Sequence, residues 1–373
     1  MTQIRVEDVC GVMERWASPD WAASWDRIGL QVGRPDQPVE GVGVCLTVTA
    51  EVFRIAKTRN INLLVSHHPL IWDPLRSLRM DAPAERLAVQ LAAGGVSVFA
   101  AHTNLDVAPG GVNAALAARL GLERTTPLFP CEQAKRVKLV TFVPESHLQA
   151  LREAVCGAGA GVIGDYTHCS FSGGGVGTFL PGEDSAPFSG AVGRVNEEPE
   201  RRFEVVVRKA QLAGVLAALF STHPYEEPAY DVYPLEGGDQ EIGLGAVGNL
   251  AGPEEAAAFF DRVKRVLDAP SARAVVPDAA GRVRRVAVLG GSGGGEVSRI
   301  PEDVDAYVTG DLGYHDAMTA RDRNLLVVDA GHHATEAPVL EVIARRIGDA
   351  FPALPVTVLW GADPFTVSPV PDA

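Results

Sequence analysis

The stretch INLLVSHHPLIW, residues 61–72, runs from an apolar segment into two adjacent histidines and a proline. Residues 61–66 are rich in leucine, isoleucine and valine, which predicts a buried strand. Pro69 has no N–H to donate to a neighbouring strand, so the strand is expected to end before it. The chain has nine histidines, and the pairing of His67 with His68 at a strand end raises the question of what they bind.

The composition is that of an ordinary globular protein. The chain has 373 residues, of which 46% are hydrophobic and 21% charged, so it is long enough for two or three cores. The net charge of −14 disfavours nucleic acid and anionic membranes as partners. No apolar run approaches the ~20 residues that span a bilayer. Five widely spaced cysteines without a C-x-x-C motif, and an N-terminus without a signal-peptide pattern, predict free thiols and a cytoplasmic location.

The periodicity of apolar residues divides the chain into two kinds of region. Helices are predicted at 4–17, 50–59, 83–93, 253–267 and 335–348, and strands at 41–48, 61–67, 96–102, 284–290, 305–311, 324–331 and 355–360. This alternation predicts an α/β fold with a mostly parallel sheet. The middle instead has the order strand-helix-strand-strand-helix-strand, which is typical of a ferredoxin-like α+β domain. We predict that residues 1–129 and 246–373 form one α/β domain and that residues 130–245 are inserted into it.

Three segments place metal-binding side chains after predicted strands. They are SHHP (66–69), AHTNLD (101–106) and DAGHHATE (329–336). The carboxyl ends of parallel strands meet at one edge of a sheet, where ligands usually bind. We therefore expect all three segments to lie together at one sheet edge.

The spacing within these segments favours two metal ions over one. Adjacent residues on an extended backbone point to opposite sides, so His67 and His68 are expected to bind one ion each. His332 and Glu336 lie four residues apart at a helix start and share a face. Glu336 can span two ions through its two oxygens, and Asp106 can complete the coordination of the first ion. The pattern predicts two divalent cations about 3.5–4 Å apart, and zinc, manganese, iron and cobalt are all compatible with it.

Several segments together resemble the NIF-three-like family, whose members are often called GTP cyclohydrolase 1 type 2 homologues. They are WDRIGLQVG (25–33), SHHPLIW (66–72), AHTNLDVAPGGVN (101–113), TGDLGYHDA (309–317) and DAGHHATE (329–336). The middle resembles the CutA-like domain of longer bacterial members, notably at THPYEEPAYDVYPL (222–235).

This resemblance implies a dinuclear site and a particular assembly. His67 and Asp106 would hold one ion, His68 and His332 the other, and Glu336 would bridge both. It also implies toroidal homohexamers whose metal sites face an internal cavity.

Three further histidines are candidate catalytic residues. His102 and His315 lie in matched motifs and are candidates for moving a proton, with a hydrogen bond that fixes a loop as the equal alternative. His333 stands where the family usually has an aromatic residue. The alternatives for it are a base beside the ligands, an extra ligand and a ring of similar size, of which the last is the simplest explanation. The glycine-rich turn GGSGG (290–294) lacks the following helix of a nucleophile elbow and is better explained as a tight turn approaching the ligand.

The function predicted from these features is that of a metal-dependent hydrolase. Two ions would activate a water molecule, and the substrate would be a nucleotide or a related small molecule. The family label narrows the reaction to opening the imidazole ring of GTP with loss of formate. The alternatives are a non-catalytic metal-bound regulatory or scaffold protein and a protein of metal storage or delivery. A catalytic site keeps an open coordination position, whereas a structural site is closed.

Overall fold

The computed structural model describes residues 3–132, 134–236, 241–277 and 281–365. The strands are β1 Gly29–Val32, β2 Val42–Cys45, β3 Leu63–Ser66, β4 Ser97–Ala100, β5 Glu123–Thr126, β6 Phe129–Pro130, β7 Arg136–Val143, β8 Ser170–Phe179, β9 Asn196–Arg208, β10 Tyr230–Pro234, β11 Gly243–Leu244, β12 Ala246–Glu255, β13 Arg273–Val275, β14 Arg282–Val288, β15 Ala306–Thr309, β16 Leu326–Asp329 and β17 Val356–Val358. The α-helices are α1 Val6–Trp16, α2 Ala50–Thr58, α3 Pro83–Ala93, α4 Thr103–Val107, α5 Val112–Arg119, α6 Leu148–Gly157, α7 Leu212–Thr222, α8 Ala256–Val266, α9 Tyr314–Asp322, α10 His332–Glu336 and α11 Val339–Ala350.

The chain divides into two compact units. One is made of residues 1–131 together with 240–373, and the other of residues 132–239. The first unit contains two large sheets, with strand orders β1-β4-β3-β2-β17 and β13-β16-β15-β14-β12-β5. The inner strands β2, β3 and β4 are parallel, as are β14, β15 and β16. The prediction of an α/β fold is confirmed, and the predicted parallel pairing is found among these six strands, whereas the inner strand β12 is antiparallel to both of its neighbours.

The five-stranded sheet is covered by helices on both faces. Val9 and Met13 of α1 and Ile343 of α11 belong to one buried cluster with the strands. Val52 of α2 and Leu91 of α3 belong to a second cluster with them. Because both faces are buried, all four residues of β2, of β3 and of β4 are inaccessible to solvent, which explains why these strands have near-continuous apolar sequences.

The second unit has its own sheet and core. Its strands lie in the antiparallel order β10-β7-β9-β8. The elements follow one another as β7-α6-β8-β9-α7-β10, which is the order that the sequence predicts for a ferredoxin-like domain. Leu151 of α6 and Leu219 of α7 pack on Leu139, Phe203 and Val205 of the sheet.

Two predicted helices begin or continue differently in the structure. The helix predicted from residue 253 begins at Ala256, because Glu254 and Glu255 are still paired with β14. The helix predicted over 335–348 is divided into α10 and α11. Pro338 precedes α11, and a proline inside a continuous helix would remove a backbone hydrogen bond.

The remaining expectations concern cysteines and membranes. All five cysteines are free thiols, in agreement with the sequence prediction. Across the described ranges, no helix has the length and apolar character that crossing a bilayer requires.

Candidate metal centre

The predicted metal ligands meet between the two sheets of the first unit. His67 and His68 follow β3, and Asp106 lies on α4 just after β4, so these three come from the five-stranded sheet. His332 and Glu336 lie on α10 just after β16 of the six-stranded sheet. The expectation of a single sheet edge is therefore wrong, because the carboxyl ends of strands from two sheets contribute ligands.

The carboxylate of Glu336 lies at the centre of this group. Its Oε2 is 2.9 Å from Nε2 of His68, and its Oε1 is 3.1 Å from Nε2 of His332. Nε2 of His67 is 3.6 Å from the same Oε1. Both carboxylate oxygens are thus engaged by imidazole nitrogens, and His332 shares a helix face with Glu336 as the i,i+4 spacing predicts.

His67 provides the test of whether these residues fit a metal ion. Its side chain is fully buried, and its Nε2 atom makes no hydrogen bond. That atom lies 3.6 Å from an oxygen of Asp106 and 3.6 Å from an oxygen of Glu336. Donor atoms that share a tetrahedral ion at about 2.1 Å are themselves ~3.4 Å apart. The spacing therefore suits a shared ion better than a hydrogen bond, and His67, His68 and Glu336 together can hold a metal ion.

The Nδ1 atoms of His67, His68 and His332 each contact another group of the protein. Nδ1 of His67 donates to the carbonyl of Ala101 at 2.9 Å, which leaves Nε2 of the neutral ring with a lone pair for a metal. Nδ1 of His68 is 2.7 Å from Oγ1 of Thr47. Nδ1 of His332 is 2.8 Å from a carboxylate oxygen of Asp311. These contacts fix the rings with Nε2 facing Glu336.

The expectation that His67 and His68 point to opposite sides is wrong. Their rings lie 5.1 Å apart and both turn their Nε2 atoms toward Glu336, rather than to opposite sides. The reason is that β3 ends at Ser66, so the alternation of an extended strand does not continue through the pair. The hydroxyl of Ser66 donates to the carbonyl of His68 at 2.8 Å and helps to fix this turn.

The electrostatics of the centre favour a cation. Burial alone would lower the pKa of His67, but the charges of Glu336 and Asp106 raise it to about 9. The hydrogen bond to Glu336 raises the pKa of His332 to about 9 as well. Burial raises the pKa of Asp106 to about 6, whereas the histidines hold that of Glu336 well below its usual value in spite of burial. The carboxylates therefore keep the imidazoles of His67 and His332 protonated. A divalent cation could take the place of those protons.

His102 lies beside the ligands and is held by a carboxylate. Its ring is 5.2 Å from that of His67 and 5.9 Å from that of His68. Its Nδ1 is 2.8 Å from Oδ1 of Asp26, whose side chain is fully buried. Burial would raise the pKa of Asp26, but hydrogen bonds from His102 and Thr103 lower it to about 2. Asp26 thus keeps the Nδ1–H of His102 pointing to itself and leaves Nε2 able to accept a proton.

The other two candidate catalytic histidines are placed differently. His315 is exposed on α9, where its ring contacts Tyr314, and the structure does not bring it to the ligand cluster. Nε2 of His333 lies 3.0 Å from the carbonyl of Gly361. His333, His68 and His332 line a cavity of about 830 Å³.

The glycine-rich turn after β14 reaches the ligands themselves. Gly291 has a φ of +68°, and a Cβ at this position would lie 2.3 Å from Oε1 of Glu336 and 3.3 Å from Nε2 of His332. The N–H of Gly291 donates to Oγ1 of Thr335 at 3.0 Å. The sequence predicted a tight turn approaching the ligand, and in the structure the turn packs against Glu336 and His332, two of the candidate metal ligands.

Sequence reasoning gave no role to three residues that hold the centre together. Asp26, Asp311 and Thr47 each fix the Nδ1 atom of a histidine. Asp26 and Asp311 lie inside the motifs WDRIGLQVG and TGDLGYHDA, so a search of those motifs for carboxylates could have found them. Nothing in the local sequence around Thr47 distinguishes it.

An α/β fold with a buried histidine and carboxylate cluster at its strand ends defines a class of candidate metal-binding proteins. The family model for Duf34/NIF3 (NGG1p interacting factor 3) matches residues 4–362. The chain therefore belongs to the Duf34/NIF3 family, as its sequence motifs indicate.

Relatives and a solved structure agree with this membership. The GTP cyclohydrolase 1 type 2 homolog of Bacillus subtilis (strain 168) is 40% identical over 342 residues, 91% of each chain. That of Mycobacterium tuberculosis is 38% identical over 374 residues, 96% of this chain and 97% of the relative. The crystal structure of a Bacillus cereus protein related to NIF3 covers 99% of this chain and 100% of its own, with a TM-score of 0.69 at 36% identity.

Proposed function

We propose that this protein is a metal-dependent hydrolase with two divalent cations in the centre described above. The observation that carries the proposal is the buried Glu336, whose two oxygens lie within 3.6 Å of the Nε2 atoms of three histidines. His67 and Asp106 would hold one ion and His68 and His332 the other, with Glu336 bridging. Zinc, manganese, iron and cobalt all accept this set of nitrogen and oxygen ligands.

The chemistry divides between the ions and the chain's own residues. Bound divalent cations would supply Lewis-acid activation of water and of the substrate. His102 would accept the proton of the attacking water at Nε2, because Asp26 occupies Nδ1. Asp26 would also stabilise the imidazolium that results. The geometry supports His102 in this role better than His315 or His333, since only His102 of the three contacts the ring of His67.

The proposed substrate is a nucleotide, and GTP is the first choice. The cavity of about 830 Å³ beside His68 and His332 is of the size that holds small-molecule ligands. The relatives carry the name GTP cyclohydrolase 1 type 2 homolog. In the proposed reaction one water adds to C8 of the purine and opens the imidazole ring to a formamide. A second water cleaves the formamide to an amine and formate, without any oxidation or reduction.

Formate release tests this proposal. Manganese-loaded protein would be incubated with GTP, and the Asp106→Asn variant would be compared with Asp165→Asn, which alters an exposed carboxylate of the other unit. The proposal predicts formate from the wild type and from Asp165→Asn, with at least a hundredfold loss in Asp106→Asn. No formate from wild-type protein shown to carry both ions would overturn the cyclohydrolase assignment.

A regulatory role is a second candidate, and it rests on the other unit. That unit, which we propose to be CutA-like from its sequence resemblance, contains a cavity of about 650 Å³ lined by Phe142, Phe188, Glu200, Arg202 and Tyr225 among others. The hydroxyl of Tyr225 donates to Glu200 at 2.8 Å. A small ligand bound in this cavity would make the protein a sensor. Metal-loaded protein without turnover of any nucleotide, combined with ligand binding that Arg202→Ala abolishes, would favour this role.

The assembly is part of the proposal as well. The resemblance implies a toroidal homohexamer, which for a chain of 39.4 kDa corresponds to a particle of about 236 kDa. Light scattering of the purified protein would measure this mass directly.

A further inference from the structure

Two exposed tryptophans stand beside the candidate metal centre. The side chains of Trp25 and Trp72 are 55% and 46% exposed, and their ring centroids lie 5.7 Å apart at an angle of 49°. An indole left in water forgoes the stabilisation that burying its large apolar surface would give. A single exposed apolar residue is ordinary, but two such rings side by side form an apolar patch of the kind that marks a binding surface.

The tryptophans are connected to the metal ligands through His102. The ring of Trp72 is 5.9 Å from that of His102, and the ring of Trp25 is 6.4 Å from it, both in edge-to-face arrangements. His102 in turn contacts His67 and His68. A molecule resting on the tryptophans therefore lies within one imidazole's width of the ligand cluster.

The backbone that carries the two tryptophans is fixed by a single side chain. Oε1 of Gln31 accepts hydrogen bonds from the N–H groups of Leu70 and Ile71 at 2.7 and 3.0 Å. Its Nε2 donates to the carbonyls of Ile71 and Arg27. These four bonds join the segment that follows Trp25 to the segment that precedes Trp72. The backbone next to both rings is thus held in place in advance of any ligand, which reduces the entropy lost on binding.

We propose that Trp25 and Trp72 form the wall that binds the planar purine ring of a nucleotide substrate and makes the site prefer a ligand that carries such a ring. This inference rests on the proposed function and names the part of the site that recognises the base. Because the two rings are inclined at 49°, a flat base stacks on one and contacts the edge of the other. Aromatic stacking is tolerant of base identity, so the wall selects for a planar ring and leaves the choice among purines to polar groups.

Calorimetric titration of manganese-loaded protein tests the wall by itself. The probes are GTP and inorganic tripolyphosphate, which has the same charged chain without a ring. We expect Trp25→Ala and Trp72→Ala to weaken GTP binding about 5- to 100-fold and to leave tripolyphosphate binding unchanged. Trp72→Phe restores most of the loss. Phe171→Ala, which removes an exposed aromatic ring of the other unit, leaves both affinities unchanged.

The outcomes separate this inference from the hydrolase proposal. Unchanged GTP binding in both alanine variants overturns the wall, and so does an equal loss for both probes. A changed particle mass in light scattering with unchanged GTP affinity also overturns it, because the rings then serve a contact between subunits. The absence of GTP binding to the wild type contradicts it as well. Tryptophan-dependent GTP binding without formate release overturns only the hydrolase proposal, whereas formate release with an unchanged affinity overturns only the wall.

Discussion

Gly291 lies so close to Glu336 that a Cβ at Gly291 would come within 2.3 Å of the carboxylate oxygen Oε1. No real Cβ sits that near an oxygen, so any side chain at this position must displace Glu336 or the turn. The turn follows β14, whereas Glu336 ends α10. The candidate metal centre thus depends on a glycine whose own side chain offers no ligand atom.

The variant Gly291→Ala tests this dependence. It should bind metal about 10- to 100-fold more weakly than the wild type, as expected when the surroundings of a metal ligand are disturbed. The positive φ of +68° adds backbone strain. Gly295→Ala is the matched control, since a Cβ there meets no atom within 4 Å. Equal metal affinity of the two variants, measured by competition with a chelator, would contradict the close approach.

The acidity of Asp26 predicts a specific dependence of stability on pH. Its pKa is lowered to about 2 in the folded protein by bonds from His102 and Thr103, in spite of burial, against about 3.9 in an unfolded chain. A carboxylate with a lowered pKa stabilises the fold fully above the unfolded value and loses that effect as pH falls through the folded one. Wild-type protein should therefore exceed Asp26→Asn by about 1–2 kcal/mol at pH 7, and by progressively less from pH 4 toward pH 2.

Urea unfolding of metal-free protein at pH 7, 4 and 3 measures this difference. Asp36→Asn is the control, because Asp36 forms an exposed ion pair with Arg34 and its substitution should change stability by less than about 0.5 kcal/mol. A difference between wild type and Asp26→Asn that does not shrink on acidification would show that Asp26 is not held as an ionised partner of His102.

Metal binding should release protons. His67 and His332 have pKa values raised to about 9, so at pH 7 both imidazoles hold protons that a metal must displace. About two protons per chain should be released at pH 7, and the apparent metal affinity should rise with pH until about pH 9. Calorimetric titration in two buffers of different ionisation enthalpy counts the protons. The same titration at pH 10 should show little release, and its absence at pH 7 would contradict the assigned charges.

His102 should be required for turnover and not for metal binding. Because its ring contacts His67 while Asp26 holds its Nδ1 atom, His102→Gln should lower kcat of formate release about 10²- to 10⁴-fold, the range for loss of a general base. Metal content should be unchanged. His168→Gln, an exposed histidine of the other unit, should behave as wild type. A His102→Gln variant with wild-type kcat would exclude His102 as the proton acceptor.

The local pattern of apolar residues predicted much of the secondary structure, because strands such as β2, β3 and β4 are buried on both faces. Helix α3 covers Pro83–Ala93, the range that the sequence indicates, and β2, β3, β4, β15 and β16 fall inside their predicted ranges. Strand β14 begins two residues before its predicted range, and β12 was not predicted as a strand. The division into two sheets was missed because it depends on which strands pair, and nothing in the sequences of β4 and β14 forbids their lying in one sheet. Strand β5, whose four residues are all exposed, has no apolar alternation to reveal it.

The candidate site shows the same limit. Histidines and carboxylates at predicted strand ends can be recognised by residue type. The amino-acid sequence alone is therefore enough to name His67, Asp106 and Glu336 as candidate metal ligands. Residue type can mark Asp26 and Asp311 within their motifs but cannot say which histidine each one contacts, since the contact of Asp26 with His102 spans 76 residues and that of Asp311 with His332 spans 21. Only the packing of the two sheets brings such pairs together.

The number of metal ions per chain shows directly whether the centre is dinuclear. Protein reconstituted with manganese or zinc and freed of excess ion by dialysis would be analysed by elemental mass spectrometry, next to Glu336→Gln and the exposed control Glu302→Gln. We predict two ions per chain in the wild type and in Glu302→Gln, and fewer than one in Glu336→Gln, whose amide cannot bridge two cations. One ion or none in the wild type, or two ions retained in Glu336→Gln, would contradict a dinuclear centre bridged by Glu336.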